Sequence, residues 1–128
     1  MNTTIAMSTV PASLDALMHI EGARAVALVD SDTGMLLGGL GGLGGGFDLE
    51  VAAAGNTELL RAKARTARAL GLPDAIDDVL ITMTSQFHVL MPLRHAPEVF
   101  IYLVLDRERA NLAMARLKTR EIEKQLVL

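Results

Sequence analysis

Three apolar segments near the C-terminal end, residues 79–83 (VLITM), 87–93 (FHVLMPL) and 99–105 (VFIYLVL), follow one another too closely for more than one kind of sheet to hold them. The links are only Thr84-Ser85-Gln86 and residues 94–98. A parallel crossover needs a dozen residues or more, so these are consecutive antiparallel strands. They are apolar at nearly every position, the pattern of strands covered on both faces. Two further strands come earlier. Residues 23–29 read as a strand, Asp30-Ser31-Asp32-Thr33-Gly34 is turn chemistry, and residues 35–37 begin a return strand, which makes a hairpin.

The helices are equally legible. Residues 11–19 read as a short helix with Leu14, Leu17 and Met18 on one face. A long helix runs from Asp48 to about Leu70. Asp48 is its N-cap, Glu50 suits its positive end, and Gly71 and Pro73 close it. A last helix is expected to be capped by Asp106, with Leu112, Ala115, Thr119, Ile122 and Leu126 on its buried face and Arg116, Arg120 and Glu123 pointing elsewhere. The order helix, strand, strand, long helix, three strands, helix predicts one α/β domain over 11–128, preceded by a tail at 1–10. Its sheet is five-stranded and antiparallel, with helices on both faces. The tract 38–46 holds seven glycines and two leucines and reads as a flexible loop.

Inside the long helix lies Ala52-Ala53-Ala54-Gly55-Asn56, which the helix itself has no use for. A helix-interior glycine costs about 0.5–1 kcal/mol relative to alanine. Such a bald patch is explained by the close approach of another backbone, here a second copy of the chain, because a two-fold contact meets itself. Leu49, Ala53, Asn56, Leu60, Ala64 and Ala67 form the stripe that faces the sheet, and Ala52, Gly55 and Leu59 form a second flank open to a symmetry mate. The strand at 79–83 would be an exposed apolar edge in a monomer, a liability that edge pairing removes. The expected self-interface is Ala52, Gly55, Asn56, Leu59, Val79, Ile81 and Met83.

Composition narrows the chemistry. There is no cysteine, so disulfides, thiolate metal sites and cysteine nucleophiles are excluded. A net charge of −3 gives no nucleic-acid footprint. The first ten residues lack a secretory pattern, no apolar run approaches a membrane span, and a cytoplasmic protein is the default. At 51% hydrophobic residues the chain is rich for a monomer, which suits a covered sheet or an oligomer.

Three patterns tempt an enzymatic reading. Gly39-Leu40-Gly41-Gly42-Leu43-Gly44 is a literal dinucleotide fingerprint, yet it arises inside a glycine repeat. Asp48 and Glu50 would repel a pyrophosphate at the following helix, and no Lys-Ser/Thr ends the tract. Asp30 and Asp32 echo the DxD opening of Mg²⁺-dependent phosphatases, against which stand a hairpin turn whose aspartates cap their own backbone and the absence of further oxygen ligands. His19, His88 and His95 share no helix at metal spacing and have no nucleophile partner, so each reads as structural. No catalytic, metal or cofactor residue is assigned. Arg61, Arg65 and Arg68 fall at i, i+4 and i+7 on the long helix, with Lys63 on a neighbouring face. They are either a solvated stripe or a docking surface anchored by arginine.

The element order, together with EGARAVALVDSDTGMLLG (21–38), DLEVAAAGNTELLRAKARTARALGL (48–72), IDDVLITMTSQFHVLMPL (76–93) and VFIYLVLDRERANLAMARLKTREIE (99–123), resembles the Roadblock family, named for a dynein light chain. The resemblance spans residues 14–123 and fits the prokaryotic, stand-alone kind. It implies an α/β sandwich with the long helix on one face of the sheet and the terminal helices on the other. It implies a homodimer joined through the long helix and the strand after it into one ten-stranded sheet. It also implies a non-catalytic partner of small Ras-like GTPases, with no small-molecule substrate; the arginine stripe Arg61, Arg65 and Arg68, on the face built by the two long helices, is where such a partner is expected to dock. The alternative is a structural adaptor bridging larger proteins without touching a GTPase. The loose tract 38–46 departs from the family pattern.

Overall fold

The computed structural model describes residues 7–42 and 48–128. Its elements are α1 (Val10–Met18), β1 (Ala23–Asp30), β2 (Met35–Gly41), α2 (Leu49–Ala69), β3 (Val79–Thr82), β4 (Gln86–Pro92), β5 (Val99–Asp106) and α3 (Leu112–Gln125). The five strands form one sheet in the order β2-β1-β5-β4-β3, with every pairing antiparallel. β5 lies at the centre and is buried along its length, as its unbroken apolar run requires.

The pleat sends alternate residues to the two faces. Val26, Leu28, Val89, Met91, Ile101, Leu103 and Leu105 pack with Leu14 and Leu17 of α1 and Ala115 of α3. Ala25, Ala27, Val29, Leu90, Phe100, Tyr102 and Val104 pack with Ala53 and Leu60 of α2. The long helix thus covers one face and the terminal helices the other, as expected. Small residues on both sides of the α2 contact (Ala25, Ala27 and Ala53, all fully buried) let the helix settle close to the sheet.

Local chemistry starts and stops the helices. Asp48 accepts hydrogen bonds from the Glu50 and Val51 N–H groups (2.9 and 3.3 Å), and Thr9 from Ala12 N–H (3.3 Å). Three expectations are corrected here. α3 is capped by Asn111, whose Oδ1 accepts from Met114 N–H at 3.0 Å. Asp106 instead closes a turn, accepting from Glu108 N–H with its carboxylate and from Ala110 N–H with its carbonyl. Glu123 does not point away: it is 1% exposed, because Arg120 reaches it from one turn below (2.7 Å). Residues 8–10, read as tail, are structured: Ser8 bridges Leu126, and Val10 opens α1.

The glycine tract divides. Gly38–Gly41, expected in the loop, continue β2, and residues 43–47 lie outside the described region. A Cβ on Gly39 would stand 2.6 Å from Leu49 and 3.2 Å from the Val26 carbonyl oxygen. Gly41 has φ +77° and faces the Arg24 carbonyl oxygen too closely for any side chain. These glycines admit the neighbouring chain rather than loosen their own.

α2 also buries Thr57, which the apolar stripe omits, and its hydroxyl has no hydrogen-bond partner among the described residues. An unpaired buried hydroxyl costs stability. Thr57→Val keeps the shape and is expected to raise the unfolding free energy by about 1 kcal/mol in urea melts.

Candidate interaction surfaces on the long helix

α2 rises from the sheet with two flanks of opposite character. On the first stand the residues expected to meet a second copy. Ala52 and Asn56 are half-buried, while Gly55 and Leu59 are exposed. A Cβ on Gly55 would find nothing within 4 Å. No close approach among the described residues therefore accounts for this glycine. Beside it runs a groove of about 720 Å³ between α2 and the segment entering β3, lined by Leu59, Ala62, Lys63, Thr66, Leu72 and Val79, among others. The sequence gives no role to Ala62 or Thr66 and names Lys63 only as a neighbour of the arginines. Their signal was present, since they lie three, four and seven positions after Leu59 on one helical side.

Among the described residues β3 is an edge strand, paired only to β4. Val79 and Ile81 turn their side chains into the α2-side core, whereas Leu80 and Met83 remain exposed. Of the expected interface residues on this strand, Val79 and Ile81 thus present backbone more than side chain to a neighbour. Pairing two such edges would satisfy those free groups.

Under this flank runs a chain of polar groups. The Asn56 side chain hydrogen-bonds Tyr102. The Tyr102 hydroxyl meets His88 Nδ1 at 3.1 Å, and His88 Nε2 meets Gln86 Oε1 at 2.8 Å. An amide oxygen only accepts, so His88 carries its proton on Nε2 and its Nδ1 accepts from the tyrosine. The arrangement suits neutral imidazole, and burial lowers the His88 pKa from its ordinary 6.5. Burial likewise raises that of Tyr102, partly offset by the Asn56 hydrogen bond. Because the unfolded chain binds this proton more readily than the folded one, the contribution of His88 to stability is complete above pH 6.5. It is lost as pH falls from there through the folded value. Urea unfolding at pH 7.5 and 5.0 is expected to show a smaller acid loss in His88→Gln than in the parent; equal losses would exclude the linkage.

The second flank carries Arg61, Arg65 and Arg68, all exposed. They are not equivalent. Arg61 donates to the Asp32 carbonyl oxygen at 2.5 Å and pairs with Glu58 at 3.4 Å, so it braces the β1–β2 turn. Arg65 and Arg68 form no ion pair among the described residues. A pocket of about 280 Å³ lies alongside, between the second half of α2 and residues 72–76, with Arg61 and Arg68 among its lining.

The other candidates resolve into structure. Asp30 Oδ1 accepts from Asp32 N–H at 2.9 Å, which is the self-capped turn. His95 sits 3.7 Å from Glu123, and His19 hydrogen-bonds the Asp15 carbonyl oxygen. Among the described residues no three His, Asp or Glu side chains are gathered as a metal site, and no helix is long and apolar enough to cross a membrane.

No family model and no curated protein matches the chain. Solved structures do. The chain is similar to Myxococcus xanthus MglB, with 18% identity over 89% of this chain and 88% of that one and a TM-score of 0.77. It is similar to a Roadblock/LC7 domain from Streptomyces avermitilis (14% identity, 91% and 93% covered, TM-score 0.75). A third is the gliding protein MglB from Thermus thermophilus (17% identity, 98% and 94% covered, TM-score 0.74). At such identities the similarity speaks for the backbone: the chain has the Roadblock fold.

Proposed function

We propose that this protein is a non-catalytic homodimer that docks a small Ras-like GTPase and modulates its nucleotide cycle. The observation that carries the reading is the division of labour on α2. One flank is bare at Gly55 and borders both a groove and an unpaired strand edge. The other offers Arg65 and Arg68, which form no ion pair among the described residues. MglB, a gliding protein, shares this fold, and the Roadblock resemblance of the sequence supports a protein partner.

In this reading two subunits join through α2 and β3 around a two-fold axis. The self-contact uses Ala52, Gly55, Asn56 and Leu59 with the β3 edge at Val79, Ile81 and Met83, and a stable pair of this kind buries about 1,600 Å² or more. The arginine flanks of both helices are then left for the partner. The dimer acts by holding the GTPase switch segments in one arrangement, with no group of its own in the chemistry.

Arg65→Glu combined with Arg68→Glu is expected to leave the oligomeric mass unchanged and to weaken binding of the Ras-like GTPase from the same genome at least tenfold by titration calorimetry. Arg61 is left intact because it holds the hairpin turn. Unchanged GTPase affinity would remove the arginine flank from the site. No binding by the parent in either nucleotide state would remove the GTPase, and the adaptor reading would take its place.

A further inference from the structure

We propose that the 280 Å³ pocket beside the arginine flank is an anchor site, taking one apolar side chain of the partner that has a carboxylate next to it. The inference rests on the reading that this flank docks a protein, and it names what the flank recognises. Small-molecule sites usually run from about 300 to 1,000 Å³, so this cavity suits a large side chain better than a nucleotide. Most of its lining is apolar, with Leu60 the buried member. Ala64 and Ala67 leave the space beneath α2, and Ile76, Pro92 and Pro97 close it from the far side. The two prolines lie in backbone with little freedom, which keeps the pocket formed before anything binds.

The charge around it is uneven. Arg68 lines the pocket on the helix side, with Arg65 three residues away, and neither has an ion-pair partner among the described residues. The chain as a whole carries −3, so this is a local positive spot on an acidic protein. Asp74 lines the pocket from the loop side and would repel an anion there. An acidic group on the partner is thereby directed towards the helix, where a guanidinium binds a carboxylate with two parallel hydrogen bonds. A buried apolar anchor beside an arginine contact is a common composition for the part of an interface that carries its energy.

The test uses the full chain with labelled Ala, Ile and Leu methyl groups, titrated with three capped dipeptides: phenylalanyl-glutamate, phenylalanyl-lysine and glycyl-glutamate. The first is expected to shift the methyls of Leu60, Ala64, Ala67 and Ile76 saturably. The second should bind at least fivefold more weakly and the third not measurably. Arg68→Glu, at an exposed position in the last turn of α2, should reverse the preference between the first two, and Ala64→Phe should fill the pocket and abolish the shifts. Equal binding of all three peptides, no saturable shift, or an unchanged preference in Arg68→Glu overturns the anchor site. If the peptides behave as expected and no GTPase binds, the anchor stands and the identity of the partner falls. If the GTPase binds Ala64→Phe as tightly as the parent, docking stands and the anchor falls.

Discussion

Gly55→Leu is expected to turn a dimer into a folded monomer. Inside one chain the substitution is harmless, since a Cβ at this position meets nothing within 4 Å and the residue is exposed. Leucine is the better helix former by about 0.8 kcal/mol, so the isolated subunit gains stability. Between two chains the outcome reverses. If α2 of a second copy packs across the Ala52-to-Asn56 patch, an added isobutyl group holds the helices apart and separates the β3 edges with them. At least a hundredfold weakening is expected, or about 2.7 kcal/mol. Light scattering on the parent should give about 27 kDa, twice the 13.7 kDa chain, and on the variant the chain mass. Below the dissociation constant of the parent, the variant should be the more stable in urea. Ala54→Leu supplies the control: it places the same side chain at an exposed position next in sequence but turned towards the arginine side, and should leave the mass unchanged. A parent already at 13.7 kDa, or a Gly55→Leu protein that stays paired, removes the self-contact and the two-flank reading of α2 with it.

What the sequence shows plainly is whatever short-range physics decides. The spacing of the last three strands leaves only antiparallel pairing among them, and Asp48 begins α2 by accepting from the N–H groups of Glu50 and Val51. Legibility ends where a residue answers to something distant. Gly39 and Gly41 look like slack because glycine usually is; their reasons are Leu49 on another element and the Arg24 carbonyl on another strand. Asp106 and Asn111 are both good caps five residues apart, and only the turn between them decides which begins the helix. In the candidate site, the bare patch and the arginines were visible from helical spacing alone. That Arg61 is spent on Asp32, and that Ile76, Pro92 and Pro97 close a pocket beside Arg68, depends on how the return segment folds back. The polar chain from Gln86 to Asn56 was equally hidden, since it joins β4, β5 and α2.

The same dependence on distant partners makes Glu123 a polar position whose loss should cost as much stability as a core side chain. Its carboxylate is 1% exposed. It accepts from Arg120 Nη1 at 2.7 Å and from the Arg94 backbone N–H at 3.4 Å, with His95 Nδ1 3.7 Å away. Arg120 in turn donates to the Asp77 carbonyl oxygen and carboxylate (2.9 and 3.1 Å), and Arg116 holds Asp78 through two bonds of 2.9 and 3.2 Å. Glu123 is thus the buried end of a network tying α3 to the β4–β5 connection and to the two residues that lead into β3. Removing one partner of a buried pair typically costs 3–5 kcal/mol. Arg120 keeps its bonds to Asp77, which places Glu123→Ala at the lower end, near 3 kcal/mol. Glu123→Gln retains an acceptor for Arg120 but sets its amide N–H groups against the Arg94 N–H, and about half that loss is expected. Urea melts give the energies, and hydrogen exchange locates them. Exchange in Glu123→Ala should rise at residues 77–82 as well as in α3, because Arg120, no longer fixed by Glu123, holds Asp77 less firmly. A loss below 1 kcal/mol, or exchange that rises in α3 alone, would show that the carboxylate fills space without joining the helix to the strand on which a second subunit would build.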